Sequence, residues 1–190
     1  MTRLAPSYYR LYDDMSTDKR WYLDGPAGPD GSWLGTALTS GRRFDGAGPL
    51  LCRVHHGGPS LELTITEEDV PIVNTRVARV FEACCGSEVQ LIPARATEGD
   101  AELWAVNVLA APDCVDEVRS EEVQRYTAED GKPEEIGQYR RIVGLRIDPA
   151  RAGGRTILRP WGWWVAVIVV ESLADALRQA NVRCELKLAS

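Results

Sequence analysis

Two stretches of the chain repeat apolar residues with a helical period. In "NTRVARVFEACCG", Val77, Val80, Phe81 and Cys84 fall at i, i+3, i+4 and i+7, while Arg76, Arg79 and Glu82 point away. This spacing predicts an amphipathic helix with Asn74 as N-cap and Gly86 as its stop. In "ESLADALRQAN", Leu173, Ala176, Leu177 and Ala180 repeat the spacing. There Ser172 is the expected cap, with Asp175 three residues on, and Asn181 takes the left-handed stop.

Elsewhere the period is two. "YYRLY" and "RWYLDG" have the aromatic content of strands. "SLELTIT" sets Leu61, Leu63 and Ile65 against Glu62 and Thr64, and "EVQLIPA" turns Val89 and Leu91 inward. "AELWAVNVLAA" is apolar on both faces, which predicts a central strand. "LLCRVHH", "YRRIVGLRID", "TILR", "WGWWVAVIVV" and Val182–Leu188 complete the strand set. Two segments break the pattern. Residues 25–48 are rich in Gly, Pro, Asp and Ser and read as a long surface loop with a short helical turn near "SWLGTAL". Residues 120–138 are acidic, with Gly131 and Pro133, and read as a loop or frayed helix inserted between strands.

The class this predicts is α+β: a mostly antiparallel sheet with two short amphipathic helices, in a single compact domain spanning residues 1–190. Both helical units run strand, polar cap, helix, tight stop, strand. An internal duplication would produce that echo, and so would a generic strand–helix–strand unit.

Composition narrows the function classes. The chain has 190 residues, 44% hydrophobic and 26% charged, enough for a core that needs no staple. Its net charge is -6, and Lys and Arg are scattered, so the basic patch of a nucleic-acid binder is missing. The longest apolar run, Trp161–Val170, stops at Glu171, about half the ~20 residues of a membrane span. Five cysteines are an odd count, and "MTRLAPSYYRLYDD" has no continuous apolar core. Together these predict free thiols in a reducing cytoplasm.

The segment "NVLAAPDCVDEVRSE" groups a thiol (Cys114), carboxylates (Asp113, Asp116) and a hydroxyl (Ser120). A cysteine nucleophile needs a nearby base, and the two histidines, His55 and His56, are adjacent in a distant segment. Flanking carboxylates would also raise the thiol pKa. The simpler reading is a strand end, with Cys114 buried and Asp116 and Ser120 bonded to turn amides. A hydrolase using Cys114 or Ser120 with His55 or His56 stands as the enzymatic alternative. Adjacent histidines on a strand face opposite ways, and no spaced Cys or His pair accompanies them, so no metal or cofactor site is expected. Vicinal Cys84 and Cys85 read as one core and one partly exposed thiol.

The remaining features suit a binding surface. Trp161, Trp163 and Trp164 in "RPWGWW" either fill a sheet end or anchor a partner, with at least one part-exposed. Trp33 and Phe44 are possible loop anchors. Acidic clusters occur at Glu67, Glu68 and Asp69, at Glu121 and Glu122, and at Glu129, Asp130, Glu134 and Glu135. Such clusters are also commonly plain solvated faces.

The order of segments resembles an immunity-protein family, the one numbered eleven in bacterial polymorphic toxin systems, a former domain of unknown function abundant in myxobacteria. The resemblance runs through "YYRLYDD", "PIVNTRVARVFE", "VQLIPA", "AVNVLAAPDCVDEVRSE", "LRID", "TILR" and "VIVVESLADALRQANVRCELKLA", nearly the whole chain. Leu158 stands where the family usually has Phe, and "PWGWW" and the "VVES" spacing depart from its pattern. The resemblance implies a cytoplasmic protein that binds and neutralises a cognate protein toxin by stoichiometric occlusion, without catalysis. An inhibitor of an endogenous enzyme such as a protease would act by the same physics on another partner.

Overall fold

The computed structural model describes residues 6–190; Met1–Ala5, part of the segment read above for a leader, lie outside the described residues. Two sheets and two helices build the body. The first sheet is antiparallel, ordered β11 (Ile157–Leu158), β12 (Val167–Val170), β1 (Tyr8–Asp13), β13 (Cys184–Leu188). The second is ordered β3 (Leu50–Cys52), β7 (Val89–Ala96), β8 (Leu103–Val108), β6 (Pro71–Asn74), β5 (Leu63–Ile65). All its pairs are antiparallel except β3 with β7. Two separate ribbons complete the strands: β2 (Tyr22–Leu23) with β4 (Val54–His56), and β9 (Glu122–Arg125) with β10 (Tyr139–Val143).

The helices form where the periodicity places them. Helix α1 spans Thr75–Cys85, and the Asn74 side chain accepts a hydrogen bond from the Val77 amide, satisfying one of the free N–H groups of its first turn. A one-turn helix, α2, covers Pro149–Ala152, with Asp148 capping the amides of Ala150 and Arg151. Helix α3 spans Glu171–Gln179 and Asn181 takes φ 51°, as its position after the last turn predicts. The expected Ser172 cap is corrected: the helix starts a residue earlier, at Glu171, directly off β12, so Val170 stands at the cap and Ser172 lies exposed in the first turn. The faces also rotate slightly from the expected ones. Helix α1 buries Val77, Ala78, Phe81 and Cys85, leaving Cys84 half-buried. Helix α3 buries Leu173, Ala174 and Leu177.

The two helices pack against each other, each covering its own sheet. One apolar cluster joins them: Phe81, Val77 and Leu177 meet Leu11, Val106 and Ile168 from the strands. Strand β8 is central, and its alternation divides its side chains between two cores. Val106 and Val108 face the helices, while Leu103 and Ala105 face a second cluster with Leu50, Ile92 and Leu38.

That second cluster changes the reading of residues 25–48. The segment forms turns and no helix, and it buries Leu38 at 2% exposure against the outer face of the five-stranded sheet. It is a cover for a core. Thr64, placed outward by alternation, is buried as well, because its hydroxyl accepts the Trp21 indole N–H at 2.8 Å. Residues 120–138 are corrected too: they contain strand β9 and two 3-10 turns, closed into a hairpin by β10.

The echo between the helical units extends to topology. In each sheet a short edge strand (β5 or β11) pairs with the strand entering the helix (β6 or β12). The strand leaving the helix (β7 or β13) lies two places along, with one antiparallel strand between. In the first unit that strand is β8, which follows β7 directly; in the second it is β1, from the other end of the chain. No helix among the described residues is long and apolar enough to cross a membrane.

Candidate partner-binding cleft

The Cys114 corner is built from backbone contacts. The Asp148 amide donates to the Cys114 carbonyl at 2.9 Å and the Asp116 amide to the Arg146 carbonyl at 2.8 Å. Ser120 spends its hydroxyl twice, donating to the Asp116 carbonyl at 2.8 Å and accepting from the Arg146 amide at 3.0 Å. The Arg119 amide donates to the Asp116 carboxylate at 3.0 Å. Cys114 is fully buried in the helix-side core, and burial pushes its thiol up to about 12, with Arg151 opposing and Asp113 and Asp148 reinforcing the rise. His55 and His56 lie in β4, whose neighbours pack on the opposite core, so the structure does not bring the histidines to Cys114 or Ser120.

A cleft of about 960 Å³ opens elsewhere, between the β9–β10 hairpin, the Trp161–Val165 turn and the edge of the 36–42 segment. Glu134, Glu135, Trp161 and Trp163, separated in sequence, line it together. Trp161 is 41% exposed, its amide donating to the Pro112 carbonyl at 2.9 Å. Gly162 makes the turn at φ 74°, and its carbonyl accepts the Tyr139 amide at 3.0 Å. A side chain there would stand 3.2 Å from the Gln138 Cα, so the close approach needs glycine. The Trp164 indole donates to Gln138 Oε1 at 2.8 Å, while the Trp163 indole nitrogen is buried without a partner among the described residues.

The hairpin wall is pinned by Tyr139. Its hydroxyl donates to Glu117 at 3.0 Å and accepts from Arg125 at 2.7 Å, and the Arg125 guanidinium lies 4.0 Å over its ring. Burial first, then the bond to Glu117, holds the Tyr139 phenol far above its usual range. Behind the tryptophan turn sits Arg159, fully buried. Its guanidinium donates to the Trp164 carbonyl and, at 2.5 Å, to the Asp69 carbonyl. It couples the cleft wall to the turn before β6.

The other predicted positions divide by what they touch. Glu122 pairs with Arg141 at 3.0 Å, Asp130 with Arg140 at 2.7 Å and Glu135 with Lys132 at 3.2 Å. Glu121, Glu129 and Glu134 have no ion pair among the described residues, and Glu121 folds over Gly144. Trp33 is 79% exposed, on a different face. Phe44 is not a free anchor: its amide donates to Gln90 Oε1 and its carbonyl accepts from Gln90 Nε2, both at 2.8 Å, and its ring packs on the second core. Sequence reasoning missed Tyr126, Gln138, Tyr139 and Arg140 as cleft residues, and missed Arg159 entirely. The readable signals for the cleft were the clustered Trp161 and Trp163 and the acidic Glu134 and Glu135, each on its own segment.

A scan against models of known protein families finds no match, and a search of curated proteins finds no similar sequence.

Proposed function

We propose that this chain is a non-catalytic binding protein that neutralises a protein toxin by stoichiometric occlusion in the cytoplasm, and that the tryptophan-lined cleft is the centre of its contact surface. The observation that carries this reading is the convergence of Trp161 and Trp163 with Glu134 and Glu135 on one concave face. Such a face has what an interface centre uses: large rings at low entropic cost and a polar rim. A standard interface covers about 800 Å² per partner, so the cleft would supply its centre and surrounding residues the rest. A net charge of -6 favours encounter with a basic partner.

The resemblance of segment order to immunity proteins supports the toxin as that partner. The raised thiol of Cys114 and the fully bonded Ser120 fit a structural corner better than a nucleophile.

The test is rescue of cells expressing the product of the neighbouring open reading frame, with variants at matched levels. Trp161→Ala and Glu134→Lys should weaken protection, the second more visibly at low salt. Cys114→Ala should protect as well as the parent. Full protection by both cleft variants overturns the cleft, and loss with a folded Cys114→Ala overturns the non-catalytic reading.

A further inference from the structure

Asp24, His55 and Glu67 are distant in sequence and meet at one surface. Asp24 follows β2, His55 is the middle residue of β4, and Glu67 lies two residues beyond β5. Backbone bonds set their positions: the Asp24 amide donates to the Arg53 carbonyl at 2.9 Å and the Glu67 amide to the Leu23 carbonyl at 3.3 Å. One ligand atom from each side chain lies within 4.8 Å of the other two.

The detail at Asp24 is informative. Its Oδ1 is 3.4 Å from His55 Nδ1, yet this oxygen is buried without a hydrogen-bond partner among the described residues. The two atoms are close but not aligned as donor and acceptor. Tetrahedral ligands about 2.0–2.1 Å from one ion stand roughly 3.3 Å apart, so the pair has the spacing of two ligands around a common centre. A second carboxylate oxygen, Glu68 Oε2, is also buried and unpartnered, and its carboxylate packs on Gly25, where any side chain would collide with it. Two of the buried orphan atoms are therefore carboxylate oxygens of one groove, which Asp24, Glu67, Glu68 and Arg53 all line. Arg53 occupies the other Asp24 oxygen, Oδ2, at 2.5 Å.

We propose that Asp24, His55 and Glu67 bind a divalent transition-metal ion of the zinc type. An imidazole with carboxylates suits zinc, cobalt or nickel, whereas magnesium and calcium favour all-oxygen shells. Three protein ligands leave a position for water or a partner's donor. Arg53 on the non-coordinating oxygen of Asp24 then acts as an outer-shell partner that orients the ligand. The ion ties β2, β4 and the turn after β5, next to the point where the 25–48 cover begins. Adjacency of His55 and His56 concealed the site in the sequence, because only one of them belongs to it.

The experiment uses the full chain without an affinity tag, titrated with zinc chloride by calorimetry and with cobalt chloride by visible absorption. One equivalent should bind saturably, with the intense visible bands of four- or five-coordinate cobalt. His55→Ala, at an exposed position, should weaken binding on the order of 100-fold, and Glu67→Gln at least about 10-fold. His56→Ala should bind as the parent does, since that ring packs edge-on against Tyr22 at 6.2 Å, away from the cluster. Circular dichroism confirms that each variant is folded. The proposal is overturned by no saturable zinc binding, by undiminished binding in His55→Ala, or by loss of binding in His56→Ala with His55→Ala unaffected.

Discussion

Arg159 and Asp69 hold the most unusual charges in the molecule. Burial lowers the Arg159 guanidinium to about 10, still charged at neutral pH, and its bonds run to backbone carbonyls. Arg159→Met should cost roughly 2–5 kcal/mol in urea unfolding, because it strands those buried carbonyls. Asp69 is raised to about 6 by burial, with Arg159 and Arg10 opposing and Glu68 reinforcing. A raised carboxyl pKa means the folded state binds the proton more tightly than the unfolded chain. Its contribution is therefore full below about pH 4 and falls as pH rises through about 6. Asp69→Asn keeps the tolerance for φ 59° and removes the titration, so the variant should gain stability relative to the parent between pH 4 and 6. Denaturant midpoints across that range check it; parallel pH profiles would contradict it. The thiols make a third test. Burial pushes Cys52, Cys85 and Cys114 up to about 12, and all five cysteines are free. Burial raises Cys184 to about 11 as well, so a native titration should find fast reaction only at half-buried Cys84, and a denatured, non-reduced sample should give five.

The β9–β10 hairpin is the element on which the proposed function rests, and its ion pairs do little to hold it. Arg141 and Arg140 are more than half exposed, so solvent screens their pairs with Glu122 and Asp130 and these contribute little. The hairpin is fastened to the body by the Tyr139–Gly162 backbone bond and the Trp164–Gln138 bond. Gly162→Ala, strained by both conformation and contact, should release it. Hydrogen exchange should then show faster exchange at Tyr139–Val143, with α1 and α3 still protected. Uniform loss of protection would mean that the hairpin is part of the cooperative core instead. For α1 the expectation is simpler: Asn74→Ala removes the cap and should cost about 1 kcal/mol.

At the level of the whole chain, β1 completes a sheet built otherwise from the C-terminal half. The Tyr8 amide donates to Ser190 Oγ at 2.9 Å and the Ala189 amide to the Tyr8 carbonyl at 2.8 Å, so the start of β1 lies beside the residues that follow β13. Joining Ser190 to Tyr8 through a short Gly/Ser linker turns β13–β1 into a hairpin like β7–β8. The chain can then be opened at Gly99, in the exposed β7–β8 connection. This circular permutant should fold with an unchanged circular dichroism spectrum and a thermal midpoint within about 5 °C. A molten product would show that the order of the two units matters to folding as well as their contacts.

The periodic signals read correctly for the helices, where one face alone meets a core, and for β8, whose apolar residues on both faces mark a central strand. Helices α1 and α3, central β8 and the α+β class follow from side chains three, four or two positions apart, and those distances are local. The readings that changed have a common cause. Residues 25–48 cover a core because β7 and β8 carry apolar side chains on both faces, and nothing in the segment itself records that. Thr64 turned inward because Trp21 reaches it, and Ser172 lost the cap because β12 runs directly into α3. The acidic stretch became a hairpin because β10 lies across from it. Likewise the cleft joins Glu134 to Trp161, and the cluster joins Asp24 to His55 and Glu67, through contacts between segments tens of residues apart. Burial patterns are written along the chain because each side chain chooses its own environment. Which charges and rings share a site depends on how sheets stack and loops close, and that is fixed by packing between elements.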